Sequence, residues 1–117
     1  MHRFHELEVY RKAIRFTKTV RGVTKTFPRQ ELFVLTSQFV RAADSIALNI
    51  AEGAGNSPKK EFAKFIGHCI RSGYECIGCA DVALEQNYLT QKIHQKLFQE
   101  VDSIIAMLVG LQKSLQR

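Results

Sequence analysis

Cys69, Cys76 and Cys79, with His68 beside them, are the side chains of this sequence best suited to holding a metal or attacking a substrate. A structural zinc site needs four such ligands converging tetrahedrally. Spacings of three and seven on a helix instead line residues up along one face. The cysteines therefore read as small buried core residues, and no metal is expected. A catalytic nucleophile would need a base, commonly histidine, within hydrogen-bond reach. His68 and His94 stand alone on their helices, and His2 and His5 fall in an N-terminal segment expected to be mobile. Small helical ribonucleases often carry an arginine followed a few residues on by a histidine, and no helix here does so. A catalytic reading would have to rest on Glu52 or Glu75 alone. No catalytic residue, cofactor or small-molecule substrate is expected.

Charge carries a stronger signal. The net charge is +6. Residues 1–29 hold eight basic side chains against Glu6 and Glu8, while residues 30–117 hold nine of each sign and cancel. Arg11, Arg15, Lys18, Arg21 and Lys25 follow one another with no acid among them. An ordinary solvated helix face would intersperse glutamate at i, i+4 for support. A row of unshielded cations suits phosphate contacts, which are electrostatic and largely independent of sequence. Nucleic acid, RNA foremost, is the expected partner; the alternative is an interaction scaffold whose basic row meets an acidic protein.

A third constellation is polar. Gln38, Arg41, Ser45, Asn49 and Glu52 form a line on the second helix, and Arg71, Ser72 and Glu75 of the third could meet it. Charges inside a bundle must be paired and hydrogen-bonded, or each costs several kcal/mol. The line could be a ligand or RNA pocket; the favoured reading is a buried network that fixes helix register or a subunit contact, comprising Gln38, Arg41, Ser45, Asn49, Glu52, Ser72 and Glu75.

Four helices must position these groups. The first, about 6–26, buries Val9, Ala13, Phe16, Val20 and Val23 on one side and turns the basic row to the other, with Tyr10 and Ile14 widening the apolar stripe. Phe27-Pro28 closes it, because the residue before proline resists helix and proline suits a first turn. The second, about 29–53, carries its main stripe on Leu32, Leu35, Phe39, Ala43, Ile46 and Ile50. A second apolar line of Phe33, Val40, Ala47 and Ala51 implies a covering partner, since a helix apolar on two sides is usually covered on both. Gly53 to Asn56 supplies a stop and loop, and Ser57-Pro58 reads as N-cap plus first residue of the third helix, about 58–86. Its inward stripe is Phe62, Phe65, Cys69, Ser72, Cys76, Ala80 and Ala83. Asn87-Tyr88-Leu89 turns the chain and Thr90 caps the fourth helix, about 90–115. There Leu97, Val101, Ile104, Leu108, Leu111 and Leu115 repeat at steps of four and three, a bundle-packing seam. Short connections make successive helices neighbours, so the expectation is an all-α, antiparallel up-down-up-down four-helix bundle spanning 1–117 as one domain.

No apolar run approaches the ~18 residues a membrane span needs. The N-terminus lacks the apolar stretch of a secretion signal, and an odd number of cysteines fits a reducing compartment. A cytoplasmic protein is expected.

The strings Phe4-x-x-Leu7-x-Val9-Tyr10-x-x-Ala13, Phe27-Pro28-x-x-Glu31 and Gln38-x-x-Arg41-Ala42-Ala43-x-Ser45-Ile46-x-x-Asn49-Ile50-Ala51-Glu52-Gly53 resemble the 23S rRNA intervening-sequence protein family. Lys60-Glu61-Phe62 and Ser72-x-x-Glu75 fit as well, so the resemblance covers nearly the whole chain. It implies a bacterial four-helix bundle, often a homopentamer, encoded within insertions in 23S rRNA genes or free-standing. Relatives include the accessory protein of diversity-generating retroelements, a basic pentamer that binds nucleic acid and a reverse transcriptase. Two positions depart: Asp44 stands where the family usually has an apolar residue, and Ala47 where it has proline. Asp44 is expected to pair with Arg41 or to sit at a subunit contact, and Ala47 removes a helix kink.

Overall fold

Four helices make up the fold: α1 (Glu8–Thr24), α2 (Ser37–Asn56), α3 (Lys59–Glu85) and α4 (Gln91–Leu115). The computed structural model describes residues 3–117, and no strand occurs among them. His2, expected to be mobile, lies outside the described residues. A 3-10 turn, Phe4–Glu6, precedes α1, and a second, Arg29–Glu31, leads through a π-helical segment, Leu32–Thr36, into α2.

On α1, Val9, Ala13, Phe16 and Val20 are all buried, as their spacing requires. The helix ends before Phe27, which is itself buried, and Pro28 is extended. The expected first turn of helix 2 departs from α geometry. Its π segment takes more residues per turn, so what precedes Leu35 is rotated out of α register. Leu35 stays buried, but Leu32, placed on the core stripe by periodicity, is 50% exposed and Phe33 is 89% exposed. Glu31 anchors this corner. Its carboxylate accepts from the Leu35 N–H at 3.4 Å and from the Tyr88 hydroxyl at 2.8 Å, and the Tyr88 ring packs on Phe27 at 5.5 Å. That bond holds the Tyr88 proton, raising its pKa above the ordinary value.

Glycine at 53 does not stop α2, which continues to Asn56. Gly53 instead permits a close crossing: a Cβ there would lie 2.6 Å from the Phe65 Cβ on α3. Gly73 does the same on the other side of α3, where a Cβ would meet Ile105 of α4 at 2.7 Å. The cap of α3 is Pro58 rather than Ser57. No side chain caps this end, and the Pro58 carbonyl accepts from the Phe62 N–H at 2.9 Å. At the far end Asn87 takes the left-handed conformation (φ 63°), with Tyr88 N–H bonded to the Ala83 carbonyl and Asn87 N–H to Leu84. This is a Schellman closure with asparagine where glycine is commoner. Thr90 caps α4 as expected, its hydroxyl oxygen accepting from the Ile93 N–H at 3.2 Å.

One buried cluster draws on all four helices, including Phe16, Phe39, Ile46, Ile50, Ile66, Leu97, Val101, Ile104 and Leu108. Each such side chain contributes about 1.5–3 kcal/mol by leaving water. α2 packs on α1 and α3, α3 packs on α4, and α1 closes on α4. The cysteines are free and buried in this core, and the Cys69 thiol donates to the Ile46 carbonyl at 3.3 Å. Burial raises all three thiols, Cys69 to about 12 and Cys79 to about 11. At neutral pH they are thiols rather than reactive thiolates. None of the helices is long and apolar enough to cross a membrane.

Candidate nucleic-acid interface

The core side of α1 fixes where its basic row must point. With Val9, Ala13, Phe16 and Val20 inward, Arg11, Arg15, Lys18 and Lys25 are exposed on the opposite side. From Arg11 to Lys25 the row runs about 21 Å along the helix axis at ~1.5 Å per residue. The Arg11 guanidinium donates to the His5 carbonyl at 3.0 Å, which leaves its charge uncompensated.

Arg21 differs from its neighbours. It leans towards α2 and grips Asp44 through both guanidinium nitrogens, at 2.7 and 2.8 Å. This charge-assisted bond raises the Arg21 pKa further above its ordinary value. Asp44 therefore pairs not with Arg41, one of the two expected roles for it, but with Arg21 on the preceding helix. The row of five cations becomes four free and one neutralised. Lys12 is also drawn aside, its ammonium 3.2 Å from the Ser103 hydroxyl on α4 and 3.9 Å from Glu8. At the C-terminal end, Arg29 joins Lys25 and Arg21 around a groove floored by Phe27, Pro28 and Leu32. Arg29 follows Pro28 and lies outside α1.

The polar line is partly assembled and is not enclosed. Ser45 and Ser72 hydroxyls meet at 2.9 Å across the α2–α3 seam, and the Asn49 amide donates to the Ser45 hydroxyl and carbonyl. Gln38 donates to Glu75 at 3.4 Å. Arg41 and Glu52 are exposed and make no hydrogen bond or ion pair among the described residues. Two adjoining open grooves share Ser45, Ser72 and Glu75. One reaches Phe33, Val34 and Arg41, the other Asn49, His68 and Arg71. Water reaches these groups, so the desolvation argument for a buried network does not apply to Arg41, Glu52 or Glu75. Ala47, the second departure from the family pattern, is buried on the same helix.

The histidines are not isolated. His94 meets Asp81 across the α3–α4 seam at 2.7 Å, and His68 contacts Arg71 one turn on. His5 lies in the 3-10 turn, its ring stacked on Phe4 at 4.4 Å. Among the described residues none of the three is hydrogen-bonded to a thiol or hydroxyl.

Fold and charge together define the class: a small four-helix bundle with Arg11, Arg15, Lys18 and Lys25 exposed along the outer face of its first helix. The same fold is found in a protein of unknown function from the S23 ribosomal protein family of Bacteroides thetaiotaomicron VPI-5482, with a TM-score of 0.83 at 20% identity over 90% of this chain and 98% of that one. Residues 5–110 match the 23S rRNA-intervening sequence protein family, and the chain belongs to that family. No curated protein matches it.

Proposed function

We propose that this chain is a non-catalytic, single-domain RNA-binding protein of the cytoplasm that works as a homo-oligomer, most simply a pentamer. The observation that carries the binding is the outer face of α1, where Arg11, Arg15, Lys18 and Lys25 stand exposed with no acid interleaved. Four phosphate contacts give a log–log salt slope of about −3.6 on a duplex. The helices run antiparallel, up-down-up-down. In support, Gln38 pairs with Glu75, Ser45 with Ser72 and Gly53 with Phe65, numbers that rise on α2 as they fall on α3.

Oligomerisation rests on apolar side chains left in water. Phe33, Val34 and Leu48 are 89, 62 and 66% exposed on one helix and its lead-in, and large exposed apolar side chains of this kind suit an interaction surface. Arg41 and Glu52 stand beside them, placed to pair across a subunit contact. The polar line thus serves assembly through its outer members and helix register through Ser45, Asn49 and Ser72.

Two measurements test this. Fluorescence anisotropy of a structured RNA across a salt series is compared between the wild type and R11E/R15E/K18E/K25E. Binding by the wild type with the slope above, lost in the variant, is expected; unchanged affinity in the variant would remove the proposal. Light scattering should return a multiple of the 13.3 kDa chain mass, and a monomer at micromolar concentration would refute the assembly.

A further inference from the structure

The N-terminal turn supplies something the basic row lacks. Phe4, His5 and Tyr10 form a three-ring cluster. His5 stacks on Phe4 at 4.4 Å with 27° between the planes, and Tyr10 meets both edge-on, at 5.1 Å from Phe4 and 5.7 Å from His5. Phe4 and Tyr10 are partly buried against the core, so they are held from behind. His5 is exposed. Its ring stacks on Phe4 and is still exposed, so a flat group can reach it. The guanidinium of Arg11, first cation of the row, donates to the His5 carbonyl and so fixes the turn against the basic face.

Resting on the nucleic-acid reading above, we infer that this cluster is a stacking platform for an unpaired base, and that α1 prefers single-stranded or looped RNA to duplex. Phosphates track along Arg11, Arg15 and Lys18 while a base at the end of the track lies on His5. Glu6, in the same turn and exposed, repels phosphate, whereas Arg11 attracts it. A base inside a duplex is stacked on its neighbours and cannot present its face this way. Single-strand binders combine a cationic track with aromatic rings in the same manner, and stacking tolerates any base because every base has a π face.

The test measures binding of a fluorescein-labelled short oligouridylate and of a blunt RNA duplex of the same length to the full chain. Variants are H5A and H5F. H5A should weaken oligouridylate binding about fivefold, the lower end for loss of one stacked base, and leave the duplex affinity and both salt slopes unchanged. H5F, which keeps a flat ring, should hold the wild-type value. Wild-type affinity of H5A for oligouridylate, or an equal loss on both probes, would overturn the platform while leaving the basic row in place. Failure of the wild type to bind either probe would instead overturn the nucleic-acid reading, and the platform with it.

Discussion

Asp44 holds Arg21 out of the basic row, and Asp44→Ala should return it. The pair is bidentate but open to solvent, with side-chain exposures of 49% for Arg21 and 30% for Asp44. Its loss therefore costs about 0.5–1 kcal/mol of folding stability, a fall of a few degrees in melting temperature. The gain appears in binding. A fifth phosphate contact changes the log–log slope by about 0.9, from about −3.6 to about −4.5. At about 0.1 M salt that is close to an eightfold gain in affinity, shrinking towards nothing as salt approaches about 1 M. Glu85→Gln is the control, since it removes one exposed acid of α3 and adds the same net charge without freeing an α1 cation. Asp44→Asn keeps an acceptor for Arg21 and should fall between wild type and alanine. The assay is anisotropy with an RNA duplex across a salt series. A slope for Asp44→Ala equal to that of wild type, or a matching shift in Glu85→Gln, would refute the idea that this ion pair sets how many cations α1 presents.

Gly53→Ala should lose about 1–3 kcal/mol, because its Cβ would meet the Phe65 Cβ at 2.6 Å and that atom cannot rotate away. Gly110→Ala, with nothing within 4 Å of its Cβ, should gain about 0.5–1 kcal/mol from helix propensity; thermal melts followed by circular dichroism should move in opposite directions. Ellman's reagent should leave all three cysteines untouched in the native chain and react with all of them once guanidinium unfolds it. The Cys69 thiol ionises near 9 when unfolded and at about 12 when folded. The unfolded chain therefore loses its proton first, and stability intact below pH 9 falls as pH rises towards 12. Cys69→Ala should flatten that part of the melting-temperature profile, and a profile identical to wild type would contradict the burial argument.

Much of the architecture could be read from periodicity, because a helix that buries one stripe announces it locally. The inward residues of α1, the Leu97–Leu108 seam and the Thr90 cap are all of this kind. What escaped reading depends on more than one helix. The π segment changes the phase of α2, and no residue between Leu32 and Thr36 signals it, so Leu32 was placed inside. Gly53 looked like a stop because glycine tolerates helix ends; its use is the approach of Phe65 from α3. The polar line lies along α2 by its spacing, but whether it is covered depends on α3, which leaves open grooves there. Arg21 has the spacing of its neighbours, and only α2's Asp44 distinguishes it. The stacked turn at Phe4–Glu6 was missed for a similar reason, since His5 is ordered by Phe4 and Tyr10 and not by helical spacing.

The two glycine crossings also divide the molecule into unequal parts. They draw α2, α3 and α4 together at backbone distance, and the interior between them has little slack. No such crossing holds α1. A cleft of about 280 Å³ lined by Lys12, Arg15, Phe16, Thr19, Glu100, Ser103 and Ile104 separates it in part from α4, and a second groove opens at its C-terminal end. Partial unfolding therefore costs least where α1 peels from the other three, a subglobal opening whose free energy lies below that of the whole bundle. Any ligand that grips the outer face of α1 binds the closed form and not the peeled one, so it shifts that opening equilibrium by mass action. The helix that carries the charge is then also the one whose folding a bound polyanion would complete.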